Sequence, residues 1–212
     1  MSRLFPERLR LRLAPAEVSA GGRVLACDPD FGPAPWQGAL AALRGLELKD
    51  RCRVTVLLAN QFVRYAVVPW SDALATEAEE EAYVRHHFAR IHGERAKSWA
   101  LRWSGGLAAA VDAQLIEEIR RSFPRTGKAK LDSVQPEFMA AFNRARGAIP
   151  ASGAWLVLAD AERACIALHV RGRWLSVQNA RGPWRPLLER ERHRAPGANP
   201  DRVLELAGGP AH

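Results

Sequence analysis

The chain has 212 residues, 48% of them hydrophobic and 25% charged, a globular composition that excludes a wholly disordered or low-complexity protein. Its three cysteines, Cys27, Cys52 and Cys165, are odd in number, far apart and form no CxxC pair, which excludes a disulfide scaffold and suits reduced, buried thiols. The net charge of +8 points first to polyanions. However, the basic residues are dispersed arginines with no run of five, so an arginine-rich solvated surface with affinity for anionic lipid headgroups explains them better than a specific nucleic-acid site.

No stretch reaches the roughly 18 apolar residues needed to cross a bilayer. Residues 1–13 lack the unbroken apolar core of a secretory signal. The expectation is a soluble, cytoplasmic protein unless a partner tethers it to a membrane.

Residues 8–13 read Arg-Leu-Arg-Leu-Arg-Leu, a period of two that predicts a half-buried strand. A short strand follows at 23–27. The stretch 28–35 is a proline-rich loop, and Trp36, Leu40, Leu43 and Leu46 mark a short helix. Residues 52–58 and 62–68 are β-branched and apolar, with Asn60-Gln61 suited to a tight hairpin between them. Pro69 ends the second strand.

Thr76 followed by Glu79 is a capping box. Four glutamates, Glu77, Glu79, Glu80 and Glu81, crowd the first turn, and Arg85, His86, His87, Arg90 and His92 the last ones, each sign where the helix dipole favours it. Gly93 stops this helix, whose buried face is predicted to hold Tyr83, Val84, His87, Phe88 and Ile91. Strands at 98–103 and 107–111 turn at Gly105-Gly106. A helix at 112–123 points Leu115, Ile116 and Ile119 inward. A strand at 129–134 leads to a third helix opened by Pro136 at its first position and carrying Phe138, Met139 and Phe142. After a boundary at 147–153 come strands at 155–159, 164–170 and 174–179, a charged helix at 183–194, a short strand at 202–206 and the pair Gly208-Gly209.

This order of strands and crossover helices predicts an α/β layered sheet. Strand triplets followed by crossover helices are the pattern of ribonuclease-H-like units. Residues 1–148 would form a first half and residues 149–212 a truncated second half of three strands, a helix and a short strand.

The local wording carries a resemblance over residues 36–179. Arg53-Val-Thr-Val-Leu-Leu58 runs on to Phe62-Val-Arg-Tyr-Ala-Val-Val-Pro69, and the Glu-rich helix comes next. Then follow Leu107-Ala-Ala-Ala-Val-Asp-Ala-Gln-Leu115, Lys130-Leu-Asp-Ser-Val-Gln-Pro-Glu137 and the triple strand of 155–181. Together these resemble the actin-like platform proteins of bacterial type IV pili and type II secretion: PilM-like proteins, the cytoplasmic domain of GspL-like proteins and MshI-like relatives. The resemblance implies a mixed-sheet, ribonuclease-H-like or actin-like ATPase fold, compact and degenerate, with two subdomains. It also implies a protein partner, an inner-membrane component of the apparatus. A homodimer is left open.

In such a fold, phosphates rest on two glycine-containing hairpins, each with an acidic residue. The nearest match to the first is Asp30-Phe31-Gly32-Pro33, where proline stands in place of a hydroxyl residue and offers no amide. The second falls at Leu158-Ala-Asp-Ala-Glu-Arg163, with Asp160 as the acidic residue and no glycine to admit a phosphate; a plain β-turn is the alternative. Gly208-Gly209 is the best-placed match to the adenosine-contacting pair, or else a flexible tail. The resemblance therefore implies a vestigial nucleotide site, no cofactor and no catalysis.

The remaining chemistry is thin. His87 and His92 are five apart on their helix, which suits zinc poorly. Asp112, Glu117, Glu118 and Asp132 do not share strands as two-metal nuclease acids do. No nucleophile elbow or P-loop is present. Seven tryptophans, among them Trp99 and Trp103 on one strand face, belong to the core or to a protein-binding surface. The reading is a non-catalytic scaffold of a pilus or secretion apparatus. The alternatives are an active actin-like ATPase and an arginine-rich nucleic-acid binder.

Overall fold

The computed structural model describes residues 7–29, 32, 34–48, 51–69, 74, 76–124, 129–195 and 199–209. In chain order the elements are β1 (Glu7–Ala14), β2 (Glu17–Ala20), β3 (Arg23–Ala26), α1 (Gln37–Arg44), β4 (Cys52–Leu58), β5 (Val63–Val67), α2 (Glu77–His92), β6 (Trp99–Ser104) and β7 (Leu107–Asp112). They continue with α3 (Ala113–Ser122), β8 (Ala129–Pro136), α4 (Glu137–Ala145), β9 (Ala154–Ala159), β10 (Arg163–Val170), β11 (Arg173–Arg181), α5 (Trp184–Arg194) and β12 (Val203–Glu205). The chain forms two compact units: Met1–Phe62 with Gln114–Ala140 and Gly208–His212, and Val63–Ala113 with Ala141–Ala207.

The first unit is built on a five-stranded sheet of order β3-β2-β1-β4-β8. β1, β2 and β3 form an antiparallel meander, and β4 lies parallel to both β1 and β8. The alternation in β1 sends Leu11 and Leu13 into the core. β4 is central and parallel, and Val54, Val56, Leu57 and Leu58 are all buried, as a strand covered on both faces requires. α1 packs on β1 and β2 and buries Ala39, Leu40 and Leu43. Gly38 lies so close to the Asp28 carbonyl that a Cβ would collide with it.

The second unit holds two sheets. One is antiparallel, of order β5-β7-β6. α2 seals it through Val84 and Phe88, packed on Ala66, Val68, Leu101 and Ala110. The other has order β11-β10-β9-β12: an antiparallel meander whose first strand, β9, takes a parallel neighbour, β12. α5 covers one face with Leu187 and Leu188 against Trp155, Ile166 and Leu168. The meander with a parallel strand beside its first member thus occurs once in each unit, as the predicted ribonuclease-H-like pattern requires.

Four local expectations are corrected. Asn60-Gln61 is no hairpin: residues Asn60–Phe62 form a 3-10 turn, after which the chain leaves for another sheet, because β4 is already flanked by β1 and β8 while β5 pairs with β7. β2 went unpredicted because Pro15, Ser19 and Gly21-Gly22 disguise a four-residue strand as a loop. Pro136 closes β8 and Glu137 opens α4. On α2, Ile91 is 59% exposed; the buried seam runs through Val84 and Phe88, four apart, and on to His92, whose ring stacks under Phe88 at 6.2 Å.

Candidate functional site

The two meanders place the positions that matter for an actin-like site. In the first unit the β1–β2 turn is Pro15-Ala16, closed by the pair Ala14 and Glu17. Pro15 has no amide to offer. Both turn carbonyls are engaged: the Cys27 amide donates to Ala16 O at 2.9 Å, and the Cys27 thiol to Pro15 O at 3.5 Å. Burial, then Asp28 and Glu17, push the Cys27 thiol pKa up. Of the sequence match Asp30-Phe31-Gly32-Pro33, the residues Asp30, Phe31 and Pro33 lie outside the described residues.

In the second unit the β9–β10 turn contains Asp160. Its carboxylate Oδ1 accepts the amides of Glu162 at 3.0 Å and Arg163 at 2.8 Å, and its own amide donates to Arg163 O at 2.9 Å. A side-chain oxygen thus fills the amide cradle that a bound phosphate would need. Such self-bonding is what aspartate does in turns.

Gly208 and Gly209 follow β12. Gly209 has φ +81°, a left-handed conformation that favours glycine. Its amide donates to Glu137 Oε1 at 2.5 Å. Glu137 is 3% exposed and also accepts from Arg12 Nε at 2.9 Å on both oxygens, while Arg12 Nη1 reaches Glu17 at 2.7 Å. Gly209 therefore closes a buried charge network inside the first unit. A cavity of about 700 Å³ in the same unit is lined by Asp28, Trp36, Gln37, Arg44, Gln114 and Glu118, and its charged pair, Arg44 with Glu118 at 2.6 Å, is matched internally.

Among the described residues no group of three or more potential metal ligands gathers. Glu117 pairs with Arg120, Glu118 with Arg121 and Arg44, and Asp132 with Arg53 at 3.5 Å. Cys52 and Cys165 are buried thiols, and burial raises the Cys165 thiol pKa far above its ordinary value. Trp36, Trp155 and Trp174 are buried. Trp99 and Trp103 pack from one strand face on the α2 core, and Trp103 Nε1 donates to Glu80 at 2.9 Å. Trp70 lies outside the described residues. Beside Trp103, Val68, Pro69, Tyr83 and Gly106 line a small cleft of about 10 Å³.

Sequence reasoning passed over the arginines Arg64, Arg163 and Arg181, which the second unit brings together around Asn179. Their trace in the sequence is a charge at the start of β10, inside β5 and at the end of β11.

No protein-family model matches the sequence, and no curated protein matches it. Solved structures do. A Bacteroides thetaiotaomicron VPI-5482 protein with an actin-like ATPase fold and unknown function is 12% identical with TM-score 0.54, over 88% of this chain and 75% of that one. The cytoplasmic domain of EpsL, an inner-membrane component of the Vibrio cholerae type II secretion system, is 15% identical with TM-score 0.55, over 93% and 82%. The PilM–PilN type IV pilus biogenesis complex is 16% identical with TM-score 0.58, over 86% of this chain and 64% of that one. The chain has the actin-like ATPase fold. Among the described residues no helix is long and apolar enough to cross a membrane.

Proposed function

We propose that this chain is a non-catalytic scaffold of a type IV pilus or type II secretion-like apparatus, acting in the cytoplasm and docking on an inner-membrane component. The observation that carries this reading is the pair of glycine-free turns, Pro15-Ala16 and Asp160 to Arg163, in an actin-like frame. One offers a proline without an amide, and the other answers its own amides with Asp160. Gly208-Gly209, the remaining nucleotide feature, is drawn into the Glu137 network. The reading is further supported by the fold shared with the EpsL cytoplasmic domain and with PilM–PilN. Residues 1–148 and 149–212 would be its two actin-like halves, the second shortened.

Two measurements test it. Calorimetric titration with ATP and Mg²⁺ should show no hydrolysis; Mg²⁺-dependent micromolar binding with turnover would sink the scaffold reading in favour of an active ATPase. Affinity purification of the full chain from its own cells should recover an inner-membrane protein with a short cytoplasmic segment, and consistent recovery of none would remove the docking claim.

A further inference from the structure

Three adjacent strands of the first unit carry a cation at the same level. Arg8 of β1 stands opposite Arg53 of β4, and Arg53 stands opposite Lys130 of β8. Side chains in register on neighbouring strands leave the same face of a sheet, so these cations form one row about 10 Å long at the usual strand spacing. Arg10, two residues further along β1, leaves the same face and is followed across the sheet by Thr55 and Ser133. Arg8, Arg10, Arg53 and Lys130 are all exposed. The N-terminal half of β4 is therefore covered on one face only, where Cys52 and Val54 are buried.

Like charges directly opposite one another destabilise a sheet. Little nearby relieves this row. Asp132, at the register shift between β4 and β8, lies 3.5 Å from Arg53. Glu17, towards the other end of β1, is taken by Arg12 at 2.7 Å. Arg8, Arg10 and Lys130 have no hydrogen bond or ion pair among the described residues. The surroundings narrow the kind of partner. Among the described residues of β1, β4 and β8 no large apolar side chain is exposed, so the face lacks the anchors that hold protein partners. Duplex grooves admit a helix or a two-stranded ribbon, whereas β1 and β4 are inner strands of a five-stranded sheet and cannot enter one. A plane of negative charge meets all four cations at once, and each cation near such a surface adds to binding.

We propose that the face of β1, β4 and β8 bearing Arg8, Arg10, Arg53 and Lys130 rests on the surface of an anionic phospholipid bilayer. The contact is electrostatic and reversible. It does not depend on the scaffold reading, whose own test is recovery of a protein partner and whose outcome is separate from lipid binding.

The test is flotation of the full chain with phosphatidylcholine vesicles, with and without phosphatidylglycerol, at about 0.1 M salt. The chain floats with the anionic vesicles and stays behind with the neutral ones. Each lost cation lowers partitioning about fivefold, so Arg8→Gln with Arg53→Gln and Lys130→Gln lowers it about a hundredfold. Lys130→Gln alone, one exposed change that leaves the fold intact, lowers it about fivefold. The control Arg90→Gln with Arg95→Gln and Arg190→Gln removes the same charge from exposed positions elsewhere and changes partitioning little. Absence of flotation with anionic vesicles overturns the proposal, as do equal flotation with neutral ones or an equal loss in the control. Capture of duplex DNA or polyglutamate, with the same dependence on Lys130, by a chain that ignores vesicles would assign the row to another polyanion and overturn it equally.

Discussion

Glu137 opens α4, where the helix dipole favours a carboxylate, yet it is 3% exposed, where a polar group without partners is costly. Arg12 from β1 and the Gly209 amide supply what burial removed. Removing one member of such a buried pair strands the other, so Glu137→Ala should cost about 3–5 kcal/mol in urea unfolding. The double replacement Arg12→Met with Glu137→Leu should recover most of that loss; recovery of nothing would mean that the Gly209 contact, not the ion pair, holds this corner.

A second prediction at this scale concerns histidine. Burial leads the causes that hold His87, His92 and His169 below their ordinary pKa. The His169 ring lies against Phe142 and Trp174, with a buried Nδ1 that has no partner among the described residues. The unfolded chain takes up these protons near pH 6.5, while the folded chain resists until lower pH. Stability is therefore fully present above the unfolded pKa and is lost as pH falls through it towards the folded values. The urea midpoint should drop between pH 7.5 and pH 5, with a shallower slope in His169→Phe. A midpoint that rises on acidification would contradict this.

At the scale of elements, α2 shows local chemistry and tertiary packing side by side. Thr76 Oγ1 accepts the Glu79 amide at 3.3 Å and the Glu79 carboxylate accepts the Thr76 amide at 3.0 Å, the capping box legible in the sequence. Thr76→Ala should cost about 1 kcal/mol, read from the urea midpoint; no change would mean that the helix start is held by packing alone. Its glutamates and Arg90 also stand where the dipole argument put them. The inward face was less legible. Apolar character suggested Ile91, but the neighbour below Phe88 is the ring of His92, with Trp99 edge-on at 5.0 Å. The β4–β5 connection failed for a related reason. Two apolar strands around a polar dipeptide satisfy the local rule for a hairpin, but the rule is blind to β1 and β8, which already occupy both edges of β4.

At the scale of the molecule, the charge of +8 is spread over exposed arginines, many of them in three- or four-residue helical pairs with glutamate. Such a surface attracts duplex DNA only through counterion release, so any binding at about 50 mM salt should be gone by about 200 mM and be indifferent to sequence. Fluorescence anisotropy across a salt series measures this; retention of a preferred sequence at the higher salt would revive the nucleic-acid alternative.

The sequence by itself determined which residues become strand and helix: the alternation of residues 8–13, the Thr76 cap, the Gly105-Gly106 turn and the three consecutive strands beyond residue 153. These are near-neighbour effects of sterics, dipoles and periodic burial. Only the tertiary structure decided which strands pair, because register and sheet order depend on surfaces far apart in the chain. It placed the first meander turn at Pro15-Ala16. It tied Gly209 to Glu137 across 72 residues and gathered Arg64, Arg163 and Arg181 around one asparagine. Such contacts are set by the three-dimensional balance of burial and charge, and no local stretch of sequence encodes it.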